Sequence, residues 1–249
     1  MERVYCVHGV YFAVRSNSAQ FMDRIARTLP LGSRQVRTRK VAATFQFALG
    51  TGDTERVVGR KLDDLAGEVA FLVASRAQGQ SFLHAGVVAW QGKAIVIPGK
   101  SFSGKTSLVR EFLKAGAEYY SDEYAVVDGR GYVHPFPRAL RIRRGLESRS
   151  RVVSPESLGA TVGKKALRVG MILLTKYQDG ATWQPRLIDG GELVLKVMRN
   201  SVAVRRSPRE TLLRVRRMVS TAEAFRGTRG NVREVVDWCL EHYQKKENR

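Results

Sequence analysis

A chain of 249 residues with 43% hydrophobic side chains can build a sizeable core, which excludes a disordered or fibrous protein. Lys and Arg number 43 against 23 Asp and Glu; the formal charge of +20 favours anionic partners, although the charges are spread along the chain as on a solvated basic surface. Only Cys6 and Cys239 and the scattered His8, His84, His134 and His242 are present, which excludes a disulfide scaffold and a zinc cluster; with no apolar leader and no membrane span in the sequence, a cytoplasmic protein is expected.

Residues 4–14 (VYCVHGVYFAV) are β-rich. Residues 18–29 are expected to be a helix, opened by Ser16, Asn17 or Ser18 and stopped at Pro30. Residues 35–49 alternate as one strand, with Val36, Val41, Ala43, Phe45 and Phe47 inward, before a turn at Gly50-Thr51-Gly52-Asp53. Leu65, Val69, Leu72 and Val73 give residues 63–77 helical spacing. Residues 1–78 therefore read as a small α+β lobe, and residues 79–249 as the domain that carries the chemistry.

That second domain begins with a hairpin: a strand over 82–90, a turn at Gln91-Gly92-Lys93, and a second strand over 94–97 ending at Pro98. His84 lies on the first arm, at a height that brings it near whatever the second arm delivers. Directly after Pro98 comes Gly99-Lys100-Ser101-Phe102-Ser103-Gly104-Lys105-Thr106, the G-x-x-x-x-G-K-[ST] pattern in its strand–loop–helix setting, with Ser107 next in the helix. Glycines at both ends let successive backbone N–H groups turn inward on an anion, and the helix adds the positive end of its dipole. In such a loop Lys105 reaches the β and γ phosphates and Thr106 offers its hydroxyl to Mg²⁺. Leu108, Val109, Phe112 and Leu113 line one side of the helix, and Gly116 is placed as its C-cap.

Beyond it, Ser121-Asp122-Glu123 precedes a strand over 124–128. Two adjacent carboxylates after a phosphate-loop helix suit Mg²⁺·ATP chemistry, one holding the metal and the other taking a proton from an attacking hydroxyl. Residues 138–144 (RALRIRR) alternate as a half-exposed strand, with Arg141 and Arg143 on one face as candidates to grip phosphate or an acidic substrate. Residues 147–165 read as an irregular loop, and 169–175 as a buried strand paired across Gln178-Asp179-Gly180 with 182–188. Helices are expected over 192–198, 208–219 and 232–243, the second with a Ser207/Glu210 capping box. Arg209, Arg214, Arg216 and Arg217 make that helix basic, but no aromatic residues are interleaved with them and no nucleic-acid motif accompanies them, so nucleic acid is not the expected partner.

His84-Ala85-Gly86-Val87, the hairpin, the Gly99–Thr106 loop, Gly116 and Ser121-Asp122-Glu123 together resemble the catalytic core of the HPr serine kinase/phosphatase family. The likeness covers about residues 81–145 and is closer to that family's short relatives, the HPr kinase-like proteins found beside peptide-modification genes, some of which phosphorylate a lasso-peptide precursor. It implies an α/β, P-loop-containing fold with a phosphoenolpyruvate-carboxykinase/HPr-kinase-like core, and ATP- and Mg²⁺-dependent phosphotransfer to a hydroxyl, with Ser or Thr of a peptide or small protein as the expected acceptor; the basic charge of the chain favours an acidic one. Carried over by position, Lys105 and Thr106 hold phosphate and Mg²⁺ and Asp122 is the general base. Glu123 stands where the family usually has a second Asp, and His84 matches the histidine near the phosphates. The chain departs at Arg141-Ile142-Arg143-Arg144-Gly145-Leu146, where bifunctional members place a magnesium-associated Glu before R-G-L-G; the loss of that acid bears on metal occupancy and above all on phosphorylase activity. Two other functions fit the same residues: an ATP-binding regulatory protein with a basic partner surface, and a kinase acting on nucleic acid. A homo-oligomer is compatible with all three.

Overall fold

The computed structural model describes residues 1–38, 40–100, 103–143 and 150–247, and the chain divides into two compact units, Met1–Gln80 and Ser81–Arg249. In the first, β1 (Glu2–Val7) and β2 (Val10–Ser16) form a hairpin whose turn residues His8 and Gly9 both have positive φ, 48° and 73°, the backbone that matches strand twist in a two-residue turn. The expected strand over 35–49 is instead two short ones on opposite edges of the hairpin: β3 (Arg34–Val36) antiparallel to β1, and β4 (Thr44–Phe47) parallel to β2.

Helix α1 is shorter than expected, Met22–Thr28. Its anticipated caps are engaged elsewhere: Ser16 Oγ accepts from Ser18 N, and the Asn17 amide exchanges two hydrogen bonds with the Leu49 backbone. Helix α2 (Glu55–Arg76) is longer than expected and buries Val58, Leu62, Leu65, Val69 and Val73 along one stripe.

The second unit is built on an eight-stranded sheet. Its hairpin arms are β5 (Gln80–Trp90) and β6 (Lys93–Pro98), antiparallel from Ala85↔Pro98 to Trp90↔Lys93. Helix α3 (Lys105–Lys114) comes next, then β7 (Glu118–Ser121), β8 (Tyr124–Asp128) and β9 (Val133–His134). A separate ribbon pairs β10 (Leu140–Arg143) with β11 (Ser150–Val153), so part of the segment expected to be an irregular loop is strand, while residues 144–149 lie outside the described residues. The chain then gives β12 (Val169–Tyr177), β13 (Arg186–Leu187), α4 (Gly190–Met198), α5 (Pro208–Val219), β14 (Glu223–Arg229) and α6 (Val232–Glu247).

The sheet order is β13-β14-β12-β6-β5-β8-β9, with β7 also paired to β5. Strand β12 is parallel to both β6 and β14, and β13 is antiparallel to β14. The expected pairing of residues 169–175 with 182–188 does not form, because β14 inserts between them. Alternate residues of β6 face opposite layers: Ile95 and Ile97 meet Leu108, Val109, Phe112, Val235 and Cys239 from α3 and α6, whereas Ala94 and Val96 meet Leu193, Val197, Val215 and Met218 from α4 and α5. Burial on both faces explains the unbroken apolar run of β12. Each fully buried Leu, Val or Phe under α3 contributes about 1.5–3 kcal/mol of transfer free energy. Ser207 does stand at the N-cap of α5 but makes no side-chain cap bond, so the capping box is not formed. Among the described residues no helix is long and apolar enough to cross a membrane.

Candidate functional site

Strand β6 ends at Pro98, where the loop residue Gly99 donates its N–H to the His84 carbonyl of the neighbouring arm at 3.0 Å. A methyl group at Gly99 would lie 2.3 Å from Ser103 Oγ, so the two ends of the loop close only over a glycine. Ser103 N bonds the Lys100 carbonyl at 3.3 Å. Gly104 adopts left-handed geometry (φ 81°) at the N-cap of α3; the helix start has neither a side-chain cap nor an acidic residue in its first turn. Its leading N–H groups are therefore available to an anion. Behind the loop, a methyl group at Gly86 of β5 would fall 2.6 Å from Val109 Cγ2, so α3 sits as close to the sheet as backbone allows. Ser107 is exposed in the first turn of α3, and Ser101 and Phe102 lie outside the described residues.

The Lys105 ammonium donates to the Lys100 carbonyl at 2.8 Å, folded back along its own loop. Burial lowers its pKa, while the Asp122 and Glu123 carboxylates act in the opposite sense. Thr106 Oγ1 donates to Asp122 Oδ2 at 2.9 Å. Asp122 occupies the turn between β7 and β8, held by Ser121, whose hydroxyl accepts from Glu123 N and Tyr124 N. The second carboxylate oxygen, Asp122 Oδ1, is buried without a partner. Burial pushes this carboxyl up to about 7, against the Thr106 hydrogen bond and the Lys105 charge, both of which favour ionisation.

The adjacent carboxylate goes elsewhere. Glu123 forms an ion pair with Arg138, so the structure separates the two acids that the sequence places side by side. His84 is half-buried beside Tyr124, ring centroids 5.1 Å apart, and its pKa is lowered mainly by burial. Its ring senses both Glu123 and Lys105 electrostatically. Arg141 is exposed on β10, and the side chain of Arg143 lies outside the described residues.

A group made of Thr106, Asp122 and Lys105 fits a magnesium–phosphate ligand. Magnesium is commonly held through one or two carboxylates together with substrate phosphates, and the unpartnered oxygen of Asp122 beside a hydroxyl and an ammonium supplies the protein's share of that donor set.

Three features were missed in the sequence. Arg138, which holds Glu123, carries no motif, and the turn-forming role of the Ser121 hydroxyl is not visible in the Ser121-Asp122-Glu123 triplet. Arg229, at the end of β14, is only 2% exposed and donates toward the Ser103 and Gly104 carbonyls at 3.4 and 3.2 Å. Third, a cavity of about 920 Å³ opens from Pro98 along the C-terminal ends of β12 and β14 to the start of α4, its walls including Lys176, Arg186, Asp189, Glu192 and Arg226. Within it Glu192 is already engaged by Lys196 and Arg226, at 3.4 and 3.5 Å.

No protein-family model matches the chain, and no curated protein matches it. Among solved structures it is similar to the Hpr(Ser) kinase/phosphatase from Coxiella burnetii, at 10% identity over 68% of this chain and 99% of that one, with a TM-score of 0.34.

Proposed function

We propose that the protein is an ATP- and Mg²⁺-dependent kinase that transfers the γ-phosphoryl group to a hydroxyl, Ser or Thr of an acidic peptide or small protein. The observation that carries this reading is the junction of Thr106 with Asp122 at the foot of a phosphate loop, where one carboxylate oxygen is fixed by the hydroxyl and the other is buried and unpartnered. Main-chain amides of Gly104, Lys105 and Thr106 at the start of α3 hold the triphosphate, and Lys105 leaves the Lys100 carbonyl for the phosphate oxygens. Bound at Thr106 and Asp122, Mg²⁺ supplies neutralisation of the charge that develops on the phosphates. Asp122 orients the acceptor hydroxyl and takes its proton. His84, neutral under burial, frames the mouth of the site.

The cavity next to Pro98 is read as the acceptor groove, because ligands of such sheets lie beyond the carboxyl ends of the strands. Lys176, Arg186, Lys196 and Arg226 outnumber Asp189 and Glu192 along it, which favours an acidic acceptor.

The test incubates wild type, Lys105→Ala and Asp122→Asn with Mg²⁺ and γ-labelled ATP, together with Ser- and Thr-containing peptides of acidic, neutral and basic composition. Label transferred to the acidic peptides by wild type alone supports the kinase. ATP binding that survives Asp122→Asn with no labelled product from any peptide returns the ATP-sensing regulator, and turnover unaffected by either substitution removes the site altogether.

A further inference from the structure

Arg229 is a buried cation that carries no evident counter-charge. Its side chain is almost wholly enclosed, its Nε is buried without a partner, and no carboxylate pairs with it among the described residues. Its guanidinium lies 5.7 Å from the centre of the Tyr177 ring, a weak substitute for an anion. Buried charges are normally paired, because an isolated one loses its hydration without compensation. The approach of Arg229 to the loop is also close: a methyl group at Gly104 would meet Nη2 at 2.1 Å, so the glycine makes room for the guanidinium as well as adopting the left-handed turn.

The two carbonyls that Arg229 faces belong to the peptide units whose N–H groups are those of Gly104 and Lys105, at the opening of α3. A cation at a carbonyl oxygen polarises the whole peptide unit and strengthens the N–H on its far side. We propose that Arg229 is a positioning residue for the triphosphate: from behind the loop it fixes the Ser103 and Gly104 carbonyls and turns the Gly104 and Lys105 amides into stronger anion donors, the bound phosphates completing its missing counter-charge. This rests on the reading of the loop as an ATP site.

The experiment titrates wild type, Arg229→Met and Arg229→Lys with ATP and Mg²⁺ by calorimetry, after circular dichroism has established that each is folded. Arg229→Met keeps the aliphatic volume without the charge and is expected to weaken ATP binding by about ten- to a hundredfold, the scale of a charge-assisted interaction. Arg229→Lys restores the charge and is expected to recover at least half of that loss on a logarithmic scale, which a packing role does not predict. Affinity unchanged in Arg229→Met, or equal losses in Met and Lys, overturns the proposal while leaving the ATP site standing; wild type giving no heat with ATP overturns the ATP site and the proposal together. If Arg229→Met fails to fold, Arg229→Gln, polar but neutral, takes its place: ATP affinity weaker in Gln than in Lys supports the proposal, and equal affinities refute it.

Discussion

Asp122→Asn is expected to make the metal-free protein more stable while slowing the proposed phosphotransfer. The carboxyl has an ordinary pKa of 3.8 and is pushed up to about 7 in the folded chain by burial. A raised carboxylate pKa means that the folded state binds the proton more tightly than the unfolded one. Stability therefore falls as pH rises from about 4 to about 7 and levels off above, at roughly 1.4 kcal/mol per pH unit in between. The accumulated cost is about 4 kcal/mol on the plateau, of which about 2.5 kcal/mol is lost between pH 5 and pH 8. Asparagine keeps an oxygen to accept the Thr106 hydroxyl and removes the ionisation. Urea unfolding in EDTA, followed by tryptophan fluorescence, checks this directly, because Trp90, Trp183 and Trp238 all lie in the Ser81–Arg249 unit. The difference between variant and wild type should grow from pH 5 to pH 8, the histidines cancelling in the comparison. A pH-independent difference, or an Asn variant less stable than wild type at pH 8, refutes the assignment of a strained, buried carboxylate.

Thr106→Val leaves Asp122 without its donor and is expected to cost about 1–3 kcal/mol of stability together with Mg²⁺-dependent turnover, while Thr106→Ser retains both; urea titration and an ATPase assay separate the two effects. Glu123→Gln is expected to lower kcat less than Asp122→Asn, which loses about 10²–10⁴-fold, because Glu123 is engaged with Arg138; equal losses in steady-state assays place both acids on the reaction. Gly86→Ala drives a methyl group into Val109 and is expected to destabilise by about 1–3 kcal/mol, with Val109→Ala in the same chain recovering part of it; additive unfolding free energies contradict the close seat of α3.

What was legible in the chain is what adjacent residues decide among themselves. The β5–β6 hairpin, the glycine-framed loop, the amphipathic α3 and its Gly116 stop, whose φ is 97°, are all written in contiguous patterns. Partner choice across the sheet was not. Residues 182–188 were expected beside β12, but β14, a strand of mixed polarity around Arg226 and Gly227, takes that place, and nothing local in E-A-F-R-G-T-R marks it as an inner parallel strand. Of the expected caps, Asn17 instead holds the distant Leu49 backbone, Ser16 accepts from Ser18 N two residues on, and Ser207 stands at the N-cap of α5 without a cap bond. In the site, the adjacency of Asp122 and Glu123 suggested a joint task; the fold turns one toward Thr106 and the other toward Arg138. Arg229 reaches Gly104 across 125 positions of sequence, beyond any motif's range.

Antiparallel β5 and β6, joined by a turn of Gln91 and Gly92 with φ of 49° and 71°, give the phosphate loop a stem made from its own immediate neighbourhood. Closing that short stem costs little chain entropy, whereas recruiting β12 and β14 to the other side of β6 requires long loops to close first. The hairpin with α3 therefore depends on local closure alone, whereas Arg229 meets Gly104 only where β14 has paired, so the loop is complete only with the long-range half of the sheet in place.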